Sequence, residues 1–117
     1  MVFSSLIRFS AIAENRIIDE NTKLATSQAA DELLGINGVQ SSFVLCRLGD
    51  EINISARSLG SVNVQLIMES LGGGGHRTMA ACQLATKDFE EAKLKLINAI
   101  NEYKANQSVT ENIHRKD

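Results

Sequence analysis

The sequence is poor in the features that mark several large protein classes. Of its 117 residues only two are cysteines, Cys46 and Cys82, too few for a disulfide framework. No apolar run reaches the length of a membrane span, and no segment has the charged start, apolar middle and small-residue end of a signal peptide. Proline and tryptophan are absent as well, but neither absence excludes a class. The sequence therefore predicts a reduced, cytoplasmic domain.

An excess of positive charge is also missing. The formal net charge is −2, so a nucleotide or nucleic acid would have to be held at a local site and not by a broad basic face. Only His76 and His114 supply imidazoles, and no paired-histidine, HExxH or GxSxG motif is present. Metal-dependent hydrolysis of phosphodiesters usually needs several carboxylates and histidines around two ions. The chain alone is therefore predicted to be inactive, with no catalytic or metal-binding residue of its own.

The pattern of apolar residues indicates one mixed α/β domain. Apolar residues make up 44% of the chain, an ordinary globular proportion for a domain with a single core. Alternation of apolar and polar residues through 51–58 predicts a strand that forms a hairpin with 40–47. The prediction is a sheet of about four or five strands with three helices packed on it, ending in a polar tail at 106–117. The predicted strands are 3–13, 40–47, 51–58 and 79–85, and the predicted helices are 22–34, 62–71 and 88–105.

Four adjacent glycines, Gly72 to Gly75, followed by His76, are the most distinctive feature. Such a run suits a backbone that must adopt unusual conformations or be approached closely. Successive exposed amides can form a concave nest for an anion, and His76 could donate a further hydrogen bond. The run is not a Walker loop, because no Lys-Ser/Thr follows it. The alternative is a helix stop followed by a connector.

Arg57 is the second candidate for binding chemistry. It shares one side of a predicted strand with Asn53 and Ser55, and a guanidinium there can bind a phosphate through two hydrogen bonds. The alternatives are a surface salt bridge for Arg57 and a solvated strand face for the two polar residues. Arg77 and Thr78, beside the glycine run, are weaker candidates.

Several segments together resemble a known family, the DHH-associated domain that forms the C-terminal part of DHH-family phosphoesterases. The similarity covers residues 22–105 and is greatest to the cyclic-di-AMP phosphodiesterases. It rests on the combination of segments at this spacing. They are Ile54-Ser55-Ala56-Arg57-Ser58-Leu59, Val62-Asn63-Val64, Gly72-Gly73-Gly74-Gly75-His76 and Ala80-Ala81.

The resemblance implies a division of labour. A separate N-terminal domain of the same polypeptide would carry the Asp-His-His motif with two manganese ions, while residues 1–105 would hold a cyclic dinucleotide or short oligonucleotide. This chain would bind no cofactor and would be a fragment of a larger, membrane-anchored enzyme. Met79 and Cys82 depart from the family pattern, in which polar and glycine residues are common. The implied substrate-binding residues are Arg57, Ser58, Gly73, Gly74, Gly75 and His76.

Two other functions remain open at this stage. The same domain could belong to an oligoribonuclease or a RecJ-like single-strand exonuclease, although a long basic groove would be expected for the exonuclease. The chain could instead be a non-catalytic regulatory or interaction domain with a glycine hinge.

Overall fold

A computed structural model describes residues 2–7, 10–15 and 22–115 of the chain. These residues form six strands and three helices. The strands are β1 (Val2–Ile7), β2 (Ser10–Asn15), β3 (Ser41–Leu48), β4 (Glu51–Ser58), β5 (Gly74–His76) and β6 (Met79–Leu84), and the helices are α1 (Thr22–Leu33), α2 (Val64–Ser70) and α3 (Phe89–Arg115). Among the described helices none is long and apolar enough to cross a membrane.

All six strands belong to one mixed sheet in the order β1-β2-β3-β4-β6-β5. Strands β2 and β3 are parallel, which requires a crossover connection, and α1 supplies it. The other neighbouring strands are antiparallel. The glycine run therefore ends in the outermost strand, β5, next to β6.

Helices cover the two faces of the sheet unequally. On one face, which we call the α2/α3 face, side chains such as Phe43, Ile54 and Leu96 form the main core with α2 and α3. On the other, the α1 face, a smaller cluster joins Val44 to Ala30. Helix α1 packs mainly on β3 and β4. Strand β6 is therefore uncovered on the α1 face, and Met79 there is 52% exposed.

The predicted mixed α/β domain with three helices is confirmed. The single strand predicted over 3–13 is wrong: Ile7 pairs with Ser10 in antiparallel β1 and β2, so the chain reverses between them. Residues 8 and 9 of that prediction lie outside the described part. The last helix continues past 105 to Arg115 because no glycine or proline interrupts it. The glycine run, expected as a loop, becomes a strand from Gly74 because it pairs with β6.

Candidate functional site

Arg57 is buried between the α1 face of the sheet and α1. Its side chain is 10% exposed, and its Nε lies 3.2 Å from Oδ1 of Asp31 on α1, whose side chain is 64% exposed. The Arg57 Nη1 donates to the carbonyl oxygen of Ala56 at 2.9 Å. Although Nε is close to Asp31, it is not aligned for a hydrogen bond, and among the described residues it has no hydrogen-bond partner. A buried donor without a hydrogen-bond partner lowers the stability of the folded state by about 1–3 kcal/mol. Arg57 therefore has an unsatisfied donor, and that donor is itself enclosed.

The sheet register places His76 in the same cross-strand row as Arg57. Arg57 is the partner of Met79 on β6, and Met79 is the partner of His76 on β5. Directly opposite residues point to the same face, so all three side chains lie on the α1 face. Because neighbouring strands are about 4.8 Å apart, the Cα atoms of Arg57 and His76 are about 10 Å apart. We call these three residues the Arg57–His76 row.

The first two glycines of the run terminate α2. The amide of Gly73 donates to the carbonyl of Met68 at 2.8 Å, and the amide of Gly72 donates to Glu69 at 3.0 Å. With Gly72 at φ +88°, this is the Schellman arrangement that ends many helices. These two amides are therefore occupied. The four glycine amides therefore do not form the anion nest that the sequence suggested.

The last three glycines of the run, Gly73 to Gly75, differ in the space around them. A Cβ at Gly73 would lie 2.1 Å from the carbonyl oxygen of Ala81, and one at Gly75, where φ is +144°, would lie 2.5 Å from the Cα of Ala80. At Gly74 nothing lies within 4 Å. Gly74 is the partner of Ala81 on the α1 face. Packing thus requires glycine at 73 and 75, whereas the open space at 74 permits a ligand to approach the backbone.

Two other candidates are not brought to this row. The Ser58 hydroxyl accepts a hydrogen bond from the amide of Gly60 at 2.9 Å. Strand alternation directs Ser58 to the side opposite Arg57. The Nε of Arg77 donates to the carbonyl of Gly60 at 2.8 Å. Both side chains support the turn that follows β4.

A cleft of about 460 Å³ lies on the α1 face beside the Arg57–His76 row. Helix α1 contributes one wall, and the end of α2 contributes another through Gly72 and Gly73. Five of the lining side chains are uncharged and polar: Thr26, Ser27, Asn53, Ser55 and Gln83. Arg57, His76, Gly74 and Gly75 do not line it. The volume lies in the range of small-molecule sites, about 300–1,000 Å³.

Comparison with known proteins gives the family. Residues 11–106 match the DHHA1 domain. The chain belongs to the DHHA1 domain family. The segments quoted above for the resemblance all lie inside the matched region.

Several curated relatives of this DHHA1 domain are named as cyclic-di-AMP phosphodiesterases, and one is named as an oligoribonuclease and phosphatase. Cyclic-di-AMP phosphodiesterase GdpP of Geobacillus thermodenitrificans is 48% identical over 108 residues, which are 86% of this chain and 16% of that protein. Cyclic-di-AMP phosphodiesterase PdeA of Listeria monocytogenes is 50% identical over 94 residues, which are 80% of this chain and 14% of that protein. The bifunctional oligoribonuclease and PAP phosphatase NrnA of Thermus thermophilus is 31% identical over 77 residues, 62% of this chain and 24% of that protein. The chain thus spans less than a quarter of each.

A solved structure agrees with the fold of this DHHA1 domain. An exopolyphosphatase-related protein from Bacteroides fragilis superposes with a TM-score of 0.71 at 24% identity, covering 84% of this chain and 30% of that one. At that identity the superposition supports the fold alone.

The residues of this DHHA1 domain offer no metal centre or reactive thiol in the described part of the chain. No three side chains of histidine, cysteine, aspartate or glutamate lie together there in a way that could hold a metal ion. Burial raises the pKa of the Cys82 thiol to about 12, so Cys82 is a neutral thiol at physiological pH.

Some of the residues that line the cleft could be identified from the sequence, and others could not. Asn53 and Ser55 were visible in the alternation of β4, although a solvated strand face explained them equally well. Gln83 and Ser27 carried no such signal, because only the pairing of β4 with β6 and the position of α1 bring them to the cleft.

Proposed function

We propose that this chain is the substrate-binding domain of a cyclic-di-AMP phosphodiesterase. The single observation that carries the proposal is the Arg57–His76 row, in which a buried arginine and an exposed histidine nineteen positions apart in the sequence share the α1 face of the sheet. The two cyclic-di-AMP phosphodiesterases described above support this choice of substrate.

Arg57 suits a phosphate for reasons of both charge and geometry. A guanidinium presents donors in a planar fork that matches two phosphate oxygens. Asp31 offsets part of its charge at 3.2 Å but leaves the Nε donor without a hydrogen bond. A phosphate oxygen that reached the guanidinium would meet a cation already held in place on two sides, by Asp31 and by the carbonyl of Ala56.

His76 and Gly74 complete the proposed phosphate site. His76 is exposed on the outermost strand, from which its imidazole can donate a hydrogen bond to a second oxygen or a second phosphate. Gly74 leaves the backbone beside it bare. Gly73 and Gly75 then act indirectly, because they allow β5 to lie closely against β6. Ser58 would contribute through the turn after β4.

Hydrolysis would need a separate catalytic domain. The described residues do not form a metal site, so we assign this chain no hydrolytic step. We propose that the two manganese ions are held by an Asp-His-His domain elsewhere in the same protein. The substrate would lie between that domain and the α1 face.

An oligonucleotide is the second candidate substrate, favoured by the similarity to the Thermus oligoribonuclease. An oligonucleotide carries the same kind of phosphate groups as cyclic-di-AMP. The two substrates differ in length, and the experiment below distinguishes them.

Equilibrium titration of the chain with three ligands tests the proposal. We expect cyclic-di-AMP or its linear product to bind more tightly than a four-nucleotide RNA. Arg57→Ala should weaken binding by about 1.5–3 kcal/mol, the value of hydrogen bonds to charged groups, which is more than tenfold. The matched control is Arg47→Ala, since Arg47 is exposed on β3 and its Nε is bonded to Gly49. Equal losses in both variants, or no binding of any ligand, would contradict the proposal. Tighter binding of the RNA would favour the oligoribonuclease.

A further inference from the structure

The cleft beside the Arg57–His76 row is lined largely by uncharged polar groups. Among the described residues that line it, Glu51 is the one that carries a full charge. These residues therefore offer a phosphate one anion and no cation. The cleft suits a neutral group that forms hydrogen bonds.

Two carboxamide side chains lie next to each other in this cleft. Asn53 on β4 and Gln83 on β6 are direct partners in the antiparallel register, so their Cβ atoms are about 4.5–5.5 Å apart. Both line the cleft. Within the described part of the chain neither side chain has a hydrogen-bond partner. Each therefore has a free donor and a free acceptor directed at the same space.

We infer that this cleft binds the nucleobase of a nucleotide, with Asn53 and Gln83 as the residues that recognise it. The inference rests on the proposed function and deepens it. A carboxamide can, for example, donate to N7 of adenine and accept from its N6 amine at the same time. The described lining, uncharged apart from Glu51, admits a base and disfavours the phosphate attached to it.

The Arg57–His76 row and the cleft beside it lie far enough apart to hold the phosphate and the base of one nucleotide. Arg57 and Asn53 lie four residues apart on the same side of β4, which is about 13 Å along the strand. Ser55 lies between them and also lines the cleft. A ligand with its phosphate at the Arg57–His76 row and its base between Asn53 and Gln83 would lie along β4 and β6 on the α1 face.

The test compares adenosine 5′-monophosphate with ribose 5-phosphate, which lacks the base. We expect the wild-type chain to bind the first at least tenfold more tightly. Asn53→Ala and Gln83→Ala should each reduce that preference about three- to tenfold, the value of one or two hydrogen bonds, and should leave the affinity for ribose 5-phosphate unchanged. Asn101→Ala and Gln107→Ala, exposed positions on α3, are the matched controls and should keep the full preference.

A second measurement needs no variant. In a two-dimensional nitrogen–proton NMR spectrum, adenosine 5′-monophosphate should shift the side-chain amide resonances of Asn53 and Gln83, and ribose 5-phosphate should not. If both compounds bind equally and both require Arg57, the nucleobase inference is overturned while the proposed function stands. If neither compound binds, both fail. An unchanged preference in the Asn53 and Gln83 variants would also overturn the inference.

Discussion

The glycine run offers the sharpest test of how this domain uses its sequence, because three neighbouring substitutions should have different effects. In Gly74→Val the new side chain meets no atom within 4 Å of its Cβ and requires no positive φ. Its effect on stability should therefore be small, within about 0.5 kcal/mol. Because position 74 faces the uncovered side of the sheet, the same side chain should obstruct a ligand.

Gly73→Ala and Gly75→Ala should behave in the opposite way. The added Cβ at 73 would meet backbone and side-chain atoms of β6 at 2.1–2.7 Å, an overpacking that costs about 1–3 kcal/mol. At 75 the contacts of 2.5–2.8 Å are accompanied by a φ of +144°, so the two costs together are about 2–6 kcal/mol. For a domain of this size each kcal/mol lowers the Tm by about 4–8 °C.

Thermal unfolding and ligand titration on the same samples test the predicted effects on stability and on ligand binding. We expect Gly74→Val to keep its Tm within a few degrees and to lose at least tenfold in affinity for cyclic-di-AMP, about 1.4 kcal/mol. Wild-type stability in Gly75→Ala would refute the packing explanation. A folded Gly74→Val domain with unchanged affinity would refute the claim that the substrate approaches this backbone.

Two predictions concern other parts of the domain. The Asn63 amide, at the start of α2, donates to the Tyr103 hydroxyl at 2.9 Å, so Tyr103→Phe should lower the unfolding free energy in urea by about 0.5–1.5 kcal/mol without altering ligand affinity. Because the folded-state pKa of Cys82 is raised from 9.0 to about 12, the unfolded chain releases that proton first. The unfolding free energy should therefore fall between pH 9 and pH 12, by up to about 1.4 kcal/mol per pH unit, and the fall should be smaller in Cys82→Ala. Identical pH profiles for the two proteins would contradict the second prediction.

Local patterns predicted most of the elements. The alternation in 51–58 gave β4 with its correct faces, because period two in a strand leaves only one way to bury Ile52, Ile54 and Ala56. Gly72 lies just after the end of α2 with φ of +88°, as expected for a helix-terminating glycine, whereas Gly35, expected to end α1 in the same way, does not have a positive φ. Both signals depend only on residues close together in the chain.

The site depended on pairings between distant residues, which a single sequence does not specify. No local pattern shows that β6 lies between β4 and β5, yet this order is what places His76 in a row with Arg57. The amides of Gly72 and Gly73 appeared free for an anion until the end of α2 was known to use them. The family resemblance singled out the segments, and the register determined which of their side chains share a face.

A crystal structure of this chain with cyclic-di-AMP bound would test the central claim most directly. The account predicts a phosphate of the ligand on the α1 face, within hydrogen-bond distance of the Arg57 guanidinium and the His76 imidazole, next to the bare backbone of Gly74. A ligand bound on the α2/α3 side, or one that leaves Arg57 in contact only with Asp31 and Ala56, would contradict it.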